Sequence, residues 1–127
     1  MPLNKDDLLS EARKNITVID ARQTEELMAS GSIILDVREP AEFDSGHLPN
    51  AVHIPRGLIE FMVGNHPKLK DFEHSIVVYC KNGGRSTLAA DTLIKMGFEN
   101  IRMLAGGFDD WKGSIHKIDI ADNQFKS

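Results

Sequence analysis

Residues 75–86, SIVVYCKNGGRS, contain the pattern from which the fold class is predicted. The run that ends at Tyr79 is apolar on both faces, which is typical of a strand inside a parallel sheet with helices above and below it. Cys80 follows at the carboxyl end of that strand, and Gly83 and Gly84 then make a tight turn. Residues 85–96 contain strong helix formers, and a glycine ends them. The stretch therefore predicts a strand, a loop that begins with a cysteine, and a helix.

The rest of the chain repeats this alternation of short apolar runs and segments with helical periodicity. Asp20 and Gln23 have the spacing of a helix capping box, and Pro40 suits the first turn of a short helix. Four further strands are predicted at residues 16–19, 32–37, 51–54 and 101–104. One helical face is predicted to consist of Leu58, Ile59, Met62 and Val63. Strands that alternate with helices indicate an α/β fold around a parallel sheet.

Composition limits the functions that this chain can have. Its 127 residues, 41% apolar and 27% charged, suit one globular domain. The net charge of -4 and the lack of a long Lys/Arg run argue against nucleic acid or an anionic membrane as a partner. No apolar run approaches the roughly 20 residues that span a bilayer, and residues 1–14 lack the apolar stretch of a secretory signal. Cys80 is the one cysteine, so we expect a cytoplasmic protein with a free thiol.

The residues after Cys80 are suited to hold an anion. Open parallel sheets bind ligands at the carboxyl ends of their strands, and the glycine pair lets backbone N–H groups turn toward one centre. A free thiol is only a few per cent thiolate at pH 7, and the helix start, Lys81 and Arg85 would all favour the ionised form. The same groups would hold an anionic sulfur donor. The alternative, a small buried structural cysteine, requires none of these features.

Several segments together resemble the rhodanese (thiosulfate sulfurtransferase) homology domain, from about residue 16 to residue 111. They are LDVRE at 35–39, EF at 42–43, GHLPNA at 46–51, IP at 54–55, the loop 80–86, and Leu104 with Gly106, Gly107 and Trp111. The resemblance implies a five-stranded parallel sheet flanked by helices on both faces. It also divides the chain into an N-terminal extension (1–15), a rhodanese-like domain (16–113) and a C-terminal extension (114–127).

The resemblance implies a sulfurtransferase in which Cys80 attacks the sulfane sulfur of thiosulfate or a related persulfide donor. The sulfur would then pass to cyanide, a thiol or a protein acceptor, and no cofactor is implied. The expected substrate-binding residues are Lys81, Asn82, Gly83, Gly84, Arg85 and Ser86, the last of which could donate to the thiolate or cap the helix. Many members have Arg where this chain has Lys81. Because Lys cannot bind an anion bidentately, the identity of the donor stays open.

Four residues outside the loop are expected to support it rather than to react. Asp36 and Arg38 follow a buried strand, and an ion pair of Arg38 with Glu42 or Asp36 would fix the loops. His47 is expected to be structural, since attack of a thiolate on a sulfane sulfur needs no general base. The five histidines and the one cysteine lack the spacing of metal ligands, so no metal is expected.

Two other functions are compatible with a reactive cysteine in such a loop. Cysteine phosphatases and arsenate reductases also hold a tetrahedral anion at a helix start, but they place five residues between Cys and Arg. Here four residues separate Cys80 from Arg85, which leaves less room for a phosphoryl group. The other alternative is a non-catalytic rhodanese-like module that binds a partner or senses redox state through Cys80. Such modules often lose the cysteine, which this chain retains.

The tail after Gly113 departs from the family pattern. It lacks the usual short Gly-Pro ending and adds Ile115, Ile118 and Ile120. These residues could pack locally or against a second subunit, and the sequence leaves the oligomeric state open.

Overall fold

A computed structural model describes residues 2–118 of the chain. Five strands, all parallel, form one sheet in the order β1-β5-β4-β2-β3. They are β1 (Thr17–Ile19), β2 (Ile33–Asp36), β3 (Val52–His53), β4 (Ile76–Tyr79) and β5 (Ile101–Leu104). Each of the five predicted strands is confirmed. The strand that precedes Cys80, β4, lies in the middle of the sheet.

Six α-helices connect or flank these strands within residues 2–118. They are α1 (Lys5–Arg13), α2 (Ala21–Ala29), α3 (Pro40–Ser45), α4 (Ile59–Met62), α5 (Gly84–Lys95) and α6 (Gly107–Asp110). The predicted capping box at the start of α2 is present, because Asp20 accepts from the Gln23 N–H while the Gln23 side chain accepts from the Asp20 N–H. Pro40 begins α3 as predicted. No helix in the described part of the chain is both long and apolar enough to cross a membrane.

Alternate residues from Ile76 to Cys80 face two separate hydrophobic clusters. Ile76, Val78 and Cys80 face the cluster that contains residues of α4 and α5. Val77 and Tyr79 face the other cluster, against residues of α2 and α6. Both faces of the sheet are therefore covered by helices, as predicted, and burial on both sides explains why β4 is apolar without alternation.

The strand register aligns the carboxyl ends of β2, β3 and β4. Asp36, the last residue of β2, is paired with Tyr79 of β4 and with His53 of β3. The Val37 N–H donates to the Tyr79 carbonyl at 3.0 Å, which extends the pairing one residue further. The residues that follow β2 and Cys80, which follows β4, consequently lie at the same edge of the sheet.

One predicted helical face is only half correct. Ile59 and Val63 are completely buried, but Leu58 and Met62 are 45% and 40% exposed. The chain here consists of a single α-helical turn between two 3-10 turns, so the spacing of 3.6 residues per turn is not maintained.

The N-terminal extension contains α1, which the sequence analysis did not predict. Asn4 accepts from the Asp7 N–H, and the Asp7 carboxylate accepts from the Asn4 N–H, so a capping box begins the helix. Ala12 is buried where α1 packs against α5.

The start of the C-terminal extension packs locally. His47 and His116 exchange two backbone hydrogen bonds of 2.8 and 2.9 Å, and the Ile118 N–H donates to the Asp44 carbonyl at 3.0 Å. The side chains of Ile115 and Ile118 remain 42% and 38% exposed. Ile120, the third apolar residue of the tail, lies outside the described residues.

Candidate active site

The thiol of Cys80 is surrounded by the backbone of its own loop. The Gly83 N–H donates to Sγ at 3.1 Å, and the Ser86 N–H donates at 3.3 Å. Cys80 itself is buried, with its thiol free of any disulfide. The loop thus brings together two backbone donors and the sulfur, an arrangement that stabilises negative charge on Sγ.

The hydroxyl of Ser86 is oriented by the start of α5. It donates to the Gly83 carbonyl at 3.1 Å, and its oxygen lies 3.4 Å from Sγ as the acceptor of the S–H bond. The same carbonyl accepts from the hydroxyl of Thr87 at 2.6 Å. A hydroxyl has one hydrogen, and the hydroxyl of Ser86 already donates it to the Gly83 carbonyl. A thiolate at Cys80 therefore accepts from the Ser86 N–H and not from the Ser86 hydroxyl.

Two backbone hydrogen bonds from α6 hold the backbone of the loop. The Phe108 N–H donates to the Cys80 carbonyl at 2.8 Å, and the Asp109 N–H donates to the Lys81 carbonyl at 3.0 Å. Gly107, with φ +60°, makes this close approach possible, because a Cβ there would lie only 2.5 Å from the Cys80 carbonyl oxygen.

This anchoring leaves other loop amides free. In a trans peptide the C=O and the following N–H point in opposite directions, so the two carbonyls that bond to α6 turn the N–H groups of Lys81 and Asn82 away from it. Within residues 2–118, the N–H groups of Lys81, Asn82, Gly84 and Arg85 donate to no protein acceptor. The loop therefore has unused donors with which to bind an anion.

Both cations of the loop form ion pairs. Arg85 binds Glu42 through two hydrogen bonds of 2.7 and 3.0 Å, and the Lys81 ammonium lies 3.0 Å from the Asp109 carboxylate. The hydrogen bonds from Arg85 lower the pKa of Glu42 to about 2, against the smaller opposing effect of burial. The same contact with Glu42, followed by smaller effects that include the charge of Cys80, raises the pKa of Arg85.

Asp36, Arg38 and Tyr79 form a buried network between β2 and β4. Arg38 Nη2 lies 2.7 Å from Asp36 Oδ2 and donates to the Gly46 carbonyl at 2.6 Å, while the Tyr79 hydroxyl donates to Asp36. Burial opposes the charge of Arg38, but the hydrogen bonds and charge of Asp36 outweigh it and raise the pKa of Arg38. Burial, together with the Asp36 charge, raises the pKa of Tyr79. Of the two partners predicted for Arg38, Asp36 is correct and Glu42 is wrong.

This network also contacts the helix that anchors the loop. The guanidinium of Arg38 lies 4.3 Å from the centre of the Phe108 ring, within the range of a cation–π contact. Phe108 is the residue whose N–H bonds the Cys80 carbonyl. Asp36 and Arg38 are thus connected to the cysteine through α6.

His47 is occupied by contacts within its own segment. Its Nδ1 lies 2.8 Å from the Phe43 carbonyl oxygen, and its ring stacks on the Phe43 ring with 3.7 Å between centroids. The structure thus places His47 in the packing around α3. Among residues 2–118, no three His, Cys, Asp or Glu side chains are grouped so as to hold a metal ion.

Comparison with known proteins identifies the family. Residues 20–114, most of the chain, match the family described as the Rhodanese-like domain. The chain belongs to the rhodanese-like domain family. Thiosulfate sulfurtransferase GlpE of Haemophilus influenzae is 33% identical to it, over 81% of this chain and 94% of the relative.

Solved structures share this rhodanese-like fold. A human single-domain sulfurtransferase, 25% identical, superposes with a TM-score of 0.71 over 79% of this chain and all of the human one. A Rhodopseudomonas palustris protein of unknown function, described as a possible tyrosine phosphatase, superposes with a TM-score of 0.83 at 29% identity. That similarity covers 91% of this chain and 96% of the other.

Two contributors to this rhodanese-like site were missed by sequence reasoning. Gly107 enters the sequence analysis only as a residue of the family resemblance, although a Gly-Gly pair is a signal for close backbone approach. The hydroxyl of Tyr79 accepts from the Leu48 N–H at 3.1 Å besides bonding Asp36. A tyrosine in an otherwise aliphatic buried strand is the signal for such a polar contact.

Proposed function

We propose that this protein is a sulfurtransferase that moves a sulfane sulfur from thiosulfate or a similar donor to a thiophilic acceptor through a persulfide on Cys80. The observation that best supports this function is the pair of N–H groups, from Gly83 and Ser86, directed at the sulfur of the one cysteine. The relatives named thiosulfate sulfurtransferase support it as well, because about a third of their residues are shared over most of the chain.

The reaction proceeds in two displacements at sulfur. The Cys80 thiolate attacks the outer sulfur of thiosulfate, the S–S bond of the donor breaks, and sulfite leaves with the electron pair of that bond. The outer sulfur remains on Cys80 as a persulfide. Cyanide, a thiol or a protein thiol then attacks this outer sulfur, and Cys80 Sγ leaves as the thiolate that the Gly83 and Ser86 N–H groups stabilise.

The remaining loop residues bind the donor in this proposal. The free N–H groups of Lys81, Asn82, Gly84 and Arg85 surround the outer sulfur or the sulfonate of the donor. The Lys81 and Arg85 side chains, 56% and 34% exposed, exchange part of their contact with Asp109 and Glu42 for the anion. No cofactor or metal enters the reaction.

The other site residues act as supports. Asp36, Arg38 and Glu42 hold the loop through their ion pairs, and His47 holds the turn after α3. We further propose residues 16–113 as the rhodanese-like domain between two extensions, at 1–15 and 114–127. The cytoplasm is the compartment that suits a free thiol used for chemistry.

Formation of thiocyanate tests this function. The protein, supplied with thiosulfate and cyanide, is expected to release thiocyanate catalytically, and the Cys80→Ser protein is expected to release none above the uncatalysed rate. The circular dichroism spectrum of the variant serves as the control for folding. Absence of turnover with both thiosulfate and an organic persulfide as donor would exclude the sulfurtransferase.

The likeness to the Rhodopseudomonas palustris protein makes phosphatase activity the second candidate. One observation opposes it here: four residues separate Cys80 from Arg85, which leaves less room for a phosphoryl group. We expect no release of nitrophenol from p-nitrophenyl phosphate. Release that disappears in the Cys80→Ser protein would favour the phosphatase. Oxidation of Cys80 by peroxide without any sulfur transfer would instead favour a redox sensor.

A further inference from the structure

A groove of about 450 Å³ lies between α1 and the cysteine loop. Its walls include Lys5, Leu9 and Arg13 on one side, and Asn82, Arg85 and Leu88 on the other. The first three are spaced by four residues, so they share one face of α1. Because the family match begins at residue 20, one wall of this groove comes from outside the matched domain.

The wall formed by α1 is held in a defined position. Its start is fixed by the reciprocal hydrogen bonds between Asn4 and Asp7, at 2.9 and 3.0 Å. The helix also packs against α5, and its residue Ala12 is only 3% exposed. Lys5 and Arg13 are therefore presented to the groove by a capped and docked helix.

The groove is positively charged although the chain is acidic overall. Three of its lining residues are cations, and none is Asp or Glu. Glu42 compensates Arg85, but Lys5 and Arg13 form no ion pair within residues 2–118. The net charge of the whole chain is -4. This local excess of positive charge is suited to a ligand that bears carboxylates.

The size of the groove indicates an organic ligand rather than an inorganic one. Pockets for organic ligands occupy about 300–1,000 Å³, and this groove falls in that range, which exceeds what thiosulfate or cyanide would fill. Leu9 and Leu88 add apolar surface for a carbon skeleton. Asn82 and Arg85 line the groove and also belong to the loop around Cys80, so a ligand held in the groove contacts that loop.

We propose that this groove binds the body of a small thiol that bears carboxylates, the acceptor of the sulfur, and that Lys5 and Arg13 select for it. The inference rests on the proposed sulfurtransferase function. The thiolate of the acceptor attacks the outer sulfur of the Cys80 persulfide, a new S–S bond forms, and the bond to Cys80 Sγ breaks. Sγ leaves as a thiolate, and the product is the persulfide of the acceptor, so atoms and electrons balance without any added oxidant.

The test compares two acceptors in the same protein preparation. The persulfide form, prepared with thiosulfate and desalted, is discharged by mercaptosuccinate, a thiol with two carboxylates, or by neutral 2-mercaptoethanol. The ratio of the two second-order rate constants is measured for the unchanged protein and for Lys5→Met, Arg13→Met and the double variant. Lys14→Met is the matched control, because Lys14 is an exposed cation of the same segment that pairs with Glu11.

The ratio is expected to fall roughly three-fold in each single variant and about ten-fold in the double variant, and to fall with added salt. Lys14→Met is expected to keep the ratio of the unchanged protein. Because the ratio is internal to each preparation, a partly unfolded variant does not change it. A double variant with the ratio of the unchanged protein would overturn the proposal. The proposal would also be overturned if the variants slowed transfer of the sulfur to a reduced protein dithiol and not to mercaptosuccinate. The groove would then be a binding site for a protein.

A binding measurement separates failure of this inference from failure of the proposed function. Calorimetric titration of the Cys80→Ser protein with mercaptosuccinate requires no sulfur transfer. Binding that is weakened by Lys5→Met and Arg13→Met supports the groove even if no persulfide forms. Absence of binding at millimolar mercaptosuccinate, in a protein whose unchanged form does accept sulfur from thiosulfate, would overturn the groove and leave the enzyme intact.

Discussion

Substitution of Gly107 by alanine tests how the cysteine loop is held. Gly107 has φ +60°, where an L side chain costs about 1 kcal/mol. Its Cβ would lie 2.5 Å from the Cys80 carbonyl oxygen and 2.7 Å from that of Lys81, whereas ordinary contact begins at 3.4 Å. The two backbone segments must therefore separate by several tenths of an ångström.

This separation weakens the two hydrogen bonds that anchor the loop. They are 2.8 Å from the Phe108 N to the Cys80 carbonyl and 3.0 Å from the Asp109 N to the Lys81 carbonyl, and each contributes about 1 kcal/mol. With the backbone strain, we expect Gly107→Ala to lower the free energy of unfolding by about 3 kcal/mol. Because the amides around Sγ move with these carbonyls, persulfide formation should slow by roughly ten-fold or more.

Gly31→Ala is the matched control for Gly107→Ala. Gly31 also has a positive φ, +98°, but a Cβ there would meet nothing within 4 Å. Gly31→Ala should therefore lower the free energy of unfolding by only about 1 kcal/mol, the cost of the backbone strain. The rate of persulfide formation should be unchanged in this variant. The free energy of unfolding is measured by urea titration. The rate of persulfide formation is measured with thiosulfate, under conditions in which both variants are folded. Equal loss of stability in the two variants, with an unchanged rate in Gly107→Ala, would refute this account of the anchoring.

Three further predictions concern the ion pairs around the site. Asp36→Asn should lower the free energy of unfolding by about 3–5 kcal/mol in urea, because it leaves the buried Arg38 without a charged partner; a loss below about 1 kcal/mol would contradict this. The pKa of Glu42 is lowered from its ordinary 4.5 to about 2, so its stabilising effect is complete above pH 4.5 and is lost as the pH falls toward 2. The urea midpoint of the Glu42→Gln protein should therefore fall less than that of the unchanged protein across this pH range. Equal falls in the two proteins would refute the assignment of this pH dependence to Glu42. Lys81→Gln should change stability by less than about 0.5 kcal/mol, since the pair with Asp109 is exposed, yet slow sulfur uptake from thiosulfate several-fold; an unchanged uptake rate would remove Lys81 from the donor site.

The features of the fold that the sequence predicts correctly have local causes. The strands are recognised by short apolar runs, and burial of both faces of β4 accounts for the unbroken run that ends at Tyr79. The start of α2 is recognised because both members of its capping box, Asp20 and Gln23, lie within one turn. Local signals of this kind depend little on the rest of the fold.

The errors in the fold arise where a local pattern is overridden or overlooked. Leu58 and Met62 fit a helical face, but a single helical turn between 3-10 turns rotates them outward. The helix α1 has a signal, the Asn4 and Asp7 spacing of a capping box, that mixed charges nearby obscure.

Partners within the site depend on tertiary contacts that spacing alone does not specify. Asp36 and Glu42 are both close to Arg38 in sequence, and Arg38 binds Asp36. Glu42 binds Arg85, 43 residues away, and only the tertiary structure brings these two residues together. The contact of Gly107 with the Cys80 carbonyl likewise depends on the neighbouring strands β4 and β5. The residue types at the site were therefore predictable, and of their pairings only Arg38 with Asp36 was predicted, as one of two alternatives.

The mass of the intact protein after reaction with thiosulfate shows whether Cys80 carries the sulfur. We expect the protein to gain the mass of one sulfur atom, to carry it on the peptide that contains Cys80, and to lose it on addition of cyanide. The Cys80→Ser protein should gain nothing under the same conditions. A folded protein that gains no sulfur from thiosulfate or an organic persulfide, or a gain that persists in Cys80→Ser, would contradict the claim that Cys80 is the sulfur carrier.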